Sequence, residues 1–188
     1  MITVLVNGLP GAGKSTLARG LARELGLPLF SKDAVKERLA DVLPAAEPGR
    51  EREWSRRLGA AALEALWTLL ADAPGAVLEN PWLAGTRRFV EAGLLRAGVA
   101  PYSVQEVWCE VPLAVARSRY EERAAARHPI HLDLAADAAG RWAGWAAEAE
   151  PLGFGAVHRV DTTRPVDLPE LAQRVLLGAG QTVSGQSR

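Results

Sequence analysis

The residues with the clearest chemical potential form one glycine-rich stretch near the N-terminus. Residues 8–16 read GLPGAGKST and match the phosphate-binding pattern G-x-x-x-x-G-K-[ST]. Glycine adopts backbone conformations that side chains forbid, so consecutive N–H groups in such a loop can surround anionic oxygens. An apolar, strand-like run over 2–7 precedes the loop and a helix-like stretch over 15–25 follows it, as the motif requires. We therefore predict a site for a nucleoside triphosphate.

Individual residues of this phosphate loop have predicted contacts. Lys14 is expected to reach the β- and γ-phosphates and to assist catalysis, the Ser15 hydroxyl to ligate Mg²⁺, and Thr16 to touch the α-phosphate. The rest of the predicted phosphate cradle comprises Gly8, Pro10, Gly11, Ala12 and Gly13. ATP with Mg²⁺ is the expected cofactor pair. The chain has no Asn-Lys-x-Asp signature, which argues against the GTPase switch class, although GTP stays open as a donor.

Strands and helices alternate along the chain and must position this loop. Hydrophobic periodicity and turn residues predict strands at 2–7, 27–30, 76–80, 102–111 and 157–160. Helices are predicted at 15–25, 33–42, 50–73, 86–97, 113–127, 134–150 and 169–177. This alternation predicts a three-layer α/β/α fold with a parallel sheet, in which ligands bind at the carboxyl ends of the strands. We expect one domain over 1–178, with a lid at about 117–133, and a disordered tail over 179–188.

Composition restricts the function classes. Lysine plus arginine and aspartate plus glutamate are equal at 22 each, so the chain has no basic bias for nonspecific nucleic-acid binding. The single cysteine, Cys109, excludes an internal disulfide framework and fits a reducing compartment. No run approaches about 20 uninterrupted apolar residues, and no signal-like segment opens the chain. We expect a cytoplasmic protein without a membrane span, as a monomer or a homodimer.

Asp33 is the candidate for activating an acceptor. The segment Ser31-Lys32-Asp33 follows the second predicted strand, so Asp33 should lie at the same sheet edge as the phosphate loop. A carboxylate there could accept the proton of an acceptor hydroxyl as that oxygen attacks the γ-phosphorus. The alternative is compensation of the helix dipole, because acidic residues are common in the first turn of a helix. Beside a phosphate loop we favour the catalytic role.

Arginines in the predicted lid could stabilise the charge that develops during phosphoryl transfer. Arg119, Arg123 and Arg127 are spaced four apart and would form one stripe on a helix. Because a closing lid can bring such cations to the transferred group, we predict catalytic roles for Arg119 and Arg123. The alternative is a solvated face that pairs with Glu121 and Glu122.

Other acidic and histidine residues have less specific patterns. Glu79, at the end of the third predicted strand, could hold Mg²⁺ through water or orient the acceptor, or it could cap nearby amides. His128, His131 and Asp133 suggest a metal cluster but lack a fourth ligand at a recognisable spacing. A hinge in the lid or a contact with the acceptor is the stronger interpretation of the two histidines.

The chain resembles a known family of small kinases. The likeness rests on the phosphate loop and on three further runs: Ser-Lys-Asp-x-x-Lys-x-x-Leu from Ser31, Arg-x-Arg-Tyr-x-x-Arg from Arg117, and Val-Asp-Thr-Thr from Val160. These resemble the AAA-domain-33 type, which is related to chloramphenicol phosphotransferase, zeta toxin, gluconate kinase and the kinase domain of polynucleotide kinase. The resemblance spans about residues 2–177 and only the loop is highly specific. It implies a five-stranded sheet in the order 2-3-1-4-5, with ATP and Mg²⁺ bound.

The resemblance also implies roles for single residues. Asp33 takes the place of the acceptor-side aspartate, and Arg119 and Arg123 those of the lid arginines. Many relatives carry aspartate where this chain has Glu79, so the metal role of Glu79 is an open question.

The resemblance also implies that the turn Asp161-Thr162-Thr163 lies against the adenine. Thr162 and Thr163 are therefore expected nucleotide contacts, as is Arg117. The hypothesis that follows is phosphoryl transfer from ATP to a hydroxyl of a small molecule, such as a sugar, a nucleoside or an antibiotic. A nucleotide-dependent binding or NTPase module is one alternative, and a polynucleotide or toxin-type kinase is another. Because the acceptor pocket is the most variable part of the family, the resemblance does not name the acceptor.

Overall fold

The computed structural model describes residues 1–131 and 138–184, and its centre is a parallel sheet. The strands are β1 (Ile2–Asn7), β2 (Leu29–Ser31), β3 (Gly75–Glu79), β4 (Gln105–Glu110) and β5 (Ala156–Asp161). They lie in the order β2-β3-β1-β4-β5, which confirms the predicted order. Val4 of β1 is aligned with Val77 on one side and with Gln105 on the other. This register brings the carboxyl ends of β1, β2 and β3 together at one edge.

Helices cover both faces of the sheet. In chain order they are α1 (Lys14–Leu25), α2 (Lys32–Val42), α3 (Glu51–Asp72), α4 (Arg87–Arg96), α5 (Leu113–Glu122), α6 (Ala138–Ala147) and α7 (Leu168–Ser184). Short 3₁₀ turns lie at Ala84–Thr86, Pro101–Ser103, Ala124–Ala126 and Pro129–His131. Val4 and Val6 pack with buried residues of α1 and α7, whereas Leu5 packs with those of α3 and α4. The three-layer α/β/α prediction is therefore confirmed.

The N-termini of α1 and α2 both lie at the carboxyl edge of the sheet. α1 begins at Lys14 directly after the loop and ends at Gly26, whose φ of 64° and N–H bond to the Ala22 carbonyl close the helix. α2 follows β2 without a connecting loop, so Lys32 and Asp33 stand in its first turn. This edge is where ligands bind in parallel α/β sheets.

Helix α5 is shorter than the sequence pattern predicts. It ends at Glu122 rather than at 127, and the chain tightens into the 3₁₀ turn Ala124–Ala126. At Arg127 the backbone is extended, with φ −79° and ψ 146°, so this residue does not continue the helix. Arg127 consequently leaves the arginine stripe, and its guanidinium lies 4.5 Å from the ring centre of Tyr120.

Helix α7 is longer than predicted. It continues to Ser184 instead of ending at 177, so most of the tail that was expected to be disordered is helical. Gly178 lies inside this helix, where a side chain would collide with the Gln105 side-chain amide, so the glycine lets the helix approach β4 closely. Residues 185–188 of that tail, and 132–137 of the predicted lid and the following helix, lie outside the described residues.

Candidate nucleotide and acceptor site

The phosphate loop leaves the end of β1 in a conformation that requires glycine. Gly8, Gly11 and Gly13 have φ angles of 139°, 86° and 84°. A side chain on Gly11 would collide with the Ala116 carbonyl of α5, and one on Gly8 would approach the Cys109 carbonyl to 2.8 Å. One side of the loop therefore lies against neighbouring backbone, and its other side faces the site. This is the shape expected of a backbone cradle for phosphate.

Lys14 is the first residue of α1 and its ammonium group is held inside the loop. The side chain is buried, and Nζ donates a hydrogen bond to the Leu9 carbonyl at 2.8 Å. Burial lowers the pKa of Lys14, and the nearby carboxylate of Glu79 opposes that shift. Because the N-terminus of a helix also favours negative charge, the ammonium and the helix dipole converge where the phosphates are expected.

Glu79, the last residue of β3, joins the start of α1 to the end of β2 through its carboxylate. One oxygen accepts a hydrogen bond from the Ser15 hydroxyl at 3.1 Å, and the other accepts one from the Ser31 hydroxyl at 2.7 Å. The two residues that the sequence indicated for metal binding thus lie together. Hydroxyl and carboxylate oxygens are ligands that Mg²⁺ prefers, so the chemistry of this set fits the cation. No role at the site was predicted for Ser31, although its position at the end of β2 follows from the sequence.

Asp33 faces the same cavity as the phosphate loop. This cavity has a volume of about 810 Å³, and its lining includes Lys14, Ser15, Asp33, Glu79 and Arg123. The Asp33 carboxylate pairs with the ammonium of Lys32 at 3.0 Å. Burial raises the pKa of Asp33, but the charges of Lys32, His131 and Lys14 outweigh burial and hold the pKa below its usual value. We call this space the acceptor cavity, because Asp33 lies at it.

A second cavity lies on the other side of the loop. It has a volume of about 470 Å³ and is lined by Thr16, Arg119 and Thr162, together with the apolar side chains of Leu17, Val166 and Leu168. Gly11 and Arg123 line both cavities. We call the second space the base cavity, because its apolar walls and polar rim suit a nucleoside.

The arginines of α5 do not act as one group. Arg119 donates to the Thr162 carbonyl at 3.0 Å and so links α5 to the base cavity. Arg123 donates to the Arg119 carbonyl at 3.0 Å, which places its side chain between the two cavities. Arg117 instead pairs with Glu121 at 2.7 Å, on an exposed face of the helix. Arg117 is not among the described residues that line the two cavities.

Of the other predicted nucleotide contacts, some line one of the two cavities and others do not. Thr162 lines the base cavity, whereas the Thr163 hydroxyl bonds to the Asp161 carboxylate at 2.6 Å and is outside the described lining of both cavities. Within the loop, the residues that line a cavity are Pro10, Gly11, Gly13, Lys14, Ser15 and Thr16. Gly8 and Ala12 shape the loop from behind it: the Gly8 N–H is bonded to the Asn7 side chain at 2.7 Å.

The far wall of the acceptor cavity contains residues to which the sequence assigned no role. Glu37 of α2 and Trp145 of α6 line it, together with His128 and His131. Tyr120 and Trp145 pack edge to face with ring centres 5.6 Å apart, which joins α5 to α6. The two histidines were noticed as acceptor contacts or hinge residues, but nothing in the local sequence pointed to Glu37.

The described residues contain neither a grouped set of metal ligands nor a membrane-spanning helix. Within 1–131 and 138–184, no three His, Cys, Asp or Glu side chains are grouped so that they could hold a metal ion, and Asp133 of the suggested histidine cluster lies outside these ranges. In the same part of the chain, none of the helices has the length and apolar character needed to cross a bilayer.

Comparisons of sequence identify a family and relatives. The model of the AAA_33 family, described as an AAA domain, matches residues 4–141. An uncharacterized protein of Mycobacterium tuberculosis is 31% identical over 168 residues, which cover 86% of this chain and 32% of that protein. The chain thus spans about a third of the length of this mycobacterial relative. A cytidylate kinase of Pyrobaculum aerophilum is 48% identical over 40 residues, covering 21% of this chain and 22% of that enzyme.

Comparisons of structure give P-loop kinases. A candidate kinase from Chloroflexus aurantiacus superposes with a TM-score of 0.76 at 28% identity, covering 94% of this chain and 97% of that one. A gluconokinase from Sinorhizobium meliloti has a TM-score of 0.59 at 20% identity, covering 100% and 98%. The APS kinase CysC of Mycobacterium tuberculosis, solved with AMPPNP and APS, has a TM-score of 0.52 at 24% identity, covering 97% of both chains. The last two likenesses show the fold alone.

Proposed function

Since the chain belongs to the AAA_33 family and has the fold of P-loop kinases, we propose that it transfers the γ-phosphoryl group of ATP to a hydroxyl group of a small polar molecule. The observation that supports this most is the acceptor cavity, in which Lys14 of the loop and Asp33 of α2 line the same space. A hydrolase does not need a cavity for an acceptor beyond the terminal phosphate, whereas a kinase does.

The residues of the two cavities divide the work of the reaction. The loop backbone and the N-terminus of α1 would bind the triphosphate, with its base in the base cavity. Lys14 and Arg123 would stabilise negative charge on the transferred group, since both line the acceptor cavity beside the loop. Ser15 and Glu79 would hold Mg²⁺, which when bound neutralises charge on the phosphate oxygens.

Asp33 would receive the proton of the acceptor hydroxyl. Its lowered pKa keeps the carboxylate ionised at neutral pH, so it can accept a hydrogen bond from the hydroxyl and orient the oxygen for attack. The oxygen of the acceptor forms the new bond to the γ-phosphorus, and the β–γ bridging oxygen leaves with ADP. The charged lining of the cavity (Lys32, Asp33, Glu37 and Arg127) favours a polar acceptor.

The test is a screen for hydroxyl compounds that stimulate ADP release. The panel would contain sugars and sugar acids, nucleosides, shikimate and hydroxylated antibiotics, and ³¹P NMR would detect the phosphorylated product. For an acceptor that responds, Asp33→Asn should lower turnover by about 10²–10⁴-fold while AMPPNP affinity stays within about twofold. Full turnover in that variant would remove Asp33 from the reaction. Hydrolysis of ATP that no acceptor stimulates would contradict the kinase assignment and favour an NTPase module.

A further inference from the structure

Part of the predicted lid is fastened to the acceptor-side helices. His128 Nε2 lies 3.1 Å from the Asp41 carboxylate, and His131 Nε2 lies 2.7 Å from the Glu37 carboxylate, both on α2. Between them, the Ile130 carbonyl accepts a hydrogen bond from the Ser55 hydroxyl of α3 at 2.7 Å. We call the four residues 128–131 the clasped segment. Three contacts thus tie this short segment to two helices far away in the sequence.

Lys36 is buried at the centre of these contacts. Its side chain is 7% exposed, and Nζ donates to the Ser55 hydroxyl at 2.7 Å and to the Ile130 carbonyl at 3.4 Å. Gly59 of α3 faces the side chain of Lys36: a Cβ at position 59 would lie in ordinary van der Waals contact with Lys36 Cδ at 4.0 Å and Lys32 Cε at 3.7 Å. A buried ammonium is costly unless its donors are satisfied, so any displacement of the segment would carry a penalty at this point.

We propose that Lys36 is a positioning residue of the acceptor site, which acts through Ser55 and the Ile130 carbonyl to hold the clasped segment as a fixed wall of the acceptor cavity. The identity of this cavity rests on the proposed function. His128, Pro129 and His131 all line the cavity, so a segment held in place presents a preformed surface to the acceptor. Burial and the neighbouring charge of Lys32 also lower the pKa of Lys36, as expected of an ammonium enclosed by protein.

The consequence is that the lid has two parts. Helix α5 carries Arg119 and Arg123 on the nucleotide side, and it is the part that can respond to ATP. The clasped segment belongs mechanically to α2 and α3. In the described part of the lid, closure therefore involves only the residues upstream of residue 128, and acceptor recognition does not wait for the nucleotide.

Hydrogen exchange of the full chain tests this, with AMPPNP and Mg²⁺ as the probe. The nucleotide should slow exchange in residues 113–122 and leave that of the clasped segment unchanged. Lys36→Met should accelerate exchange in the clasped segment by about tenfold and spare the phosphate loop. Lys32→Met is the matched control, because it removes a lysine one turn earlier on α2 that pairs with Asp33, and it should not alter exchange in the clasped segment.

Substitution of Ser55 provides a conservative rescue. Ser55→Ala should accelerate exchange in the clasped segment, and Ser55→Thr, which keeps the hydroxyl, should restore protection; this pair carries the test if Lys36→Met unfolds. With an acceptor from the screen, Lys36→Met should raise the acceptor KM about tenfold and change kcat less than about twofold. Three results would overturn the proposal. The first is unaltered exchange in both Lys36→Met and Ser55→Ala, and the second is equal acceleration of exchange in all peptides. The third is strong slowing of exchange in the clasped segment by AMPPNP. A failed acceptor screen would instead overturn the proposed function, since the exchange pattern does not depend on it.

Discussion

The phosphate loop and the acceptor cavity beside it are built by different means. The phosphate end of the site uses backbone: a loop forced open by positive φ angles and the N-terminus of the helix that follows it directly. The acceptor cavity is assembled from side chains that are distant in sequence, such as Ser31 with Glu79, 48 positions apart, and Glu37 with His131, 94 positions apart. One end is encoded locally, and the other exists only once the chain has folded.

This difference separates what is general from what is specific. Phosphate groups are the same in every nucleoside triphosphate, so a backbone cradle can serve any reaction of this type. An acceptor is recognised by the positions of a few charged side chains, and each pair in the cavity wall can change without disturbing the loop. The comparison therefore predicts large, uniform losses from changes on the phosphate side and, apart from Asp33 itself, smaller and selective losses from changes in the wall of the acceptor cavity.

Of the four comparisons that follow, removal of the Lys14 ammonium should have the largest effect. Lys14→Met is expected to lower turnover by about 10³-fold, because the charge on the transferred group loses its buried partner. Steady-state kinetics with ATP and a responsive acceptor would measure this. Lys14→Arg, which keeps the charge but not its shape, should retain more activity than the methionine variant. Near-normal turnover in Lys14→Met would contradict the large loss expected on the phosphate side of the site.

The close approach of the loop to α5 should appear as a stability difference. Gly11→Ala combines a φ of 86° with a collision against the Ala116 carbonyl, and we expect a loss of about 3 kcal/mol in the free energy of unfolding. Gly98→Ala is the matched control: its φ is 72° but nothing lies within 4 Å, so strain alone should cost about 1 kcal/mol. Urea denaturation of both variants gives the difference. Equal losses would mean that the loop is not pressed against α5.

Two arginines on the same helix should differ in their effect on the nucleotide. Arg119 lines the base cavity and bonds to the Thr162 carbonyl, so Arg119→Met should weaken AMPPNP binding by about tenfold. Arg117 pairs with Glu121 on an exposed face, where such pairs contribute little, so Arg117→Met should leave affinity within about twofold. Isothermal titration calorimetry would compare them. A larger loss in Arg117→Met would restore the role that the sequence assigned to it.

The smallest effect concerns the pH dependence of turnover. Because the pKa of Asp33 is lowered, its carboxylate stays ionised at a pH at which an ordinary aspartate begins to protonate. Activity should therefore persist at that pH. Lys32→Met removes an attracting charge, so the pKa of Asp33 should rise and the acid limb of the kcat profile should move upward by about one pH unit. A profile that does not move would show that Lys32 has no electrostatic influence on the group that limits turnover in acid.

The sequence predicts the local parts of this molecule well. The loop, the helix after it and the alternation of elements can be read from glycines and apolar periodicity, and the strand order follows from the family resemblance. The positions of Asp33 and Glu79 at one cavity were predicted because strand ends in a parallel sheet share an edge. The pairs formed by Glu37 and Lys36 were not found, since charged residues on a helix have no local signature of a partner in another segment. The end of α5 was misjudged because the four-residue spacing of the arginines continues to Arg127, although the helix itself ends at Glu122.

A crystal structure with Mg²⁺ and AMPPNP tests the central claim most directly. The account predicts that the terminal phosphate lies in the acceptor cavity between Lys14 and Arg123, that Ser15 and Glu79 face the metal ion, and that the Asp33 carboxylate points to the open side of the γ-phosphorus. A terminal phosphate outside that cavity, or an Asp33 carboxylate turned away from it, would contradict phosphoryl transfer to an acceptor at this place.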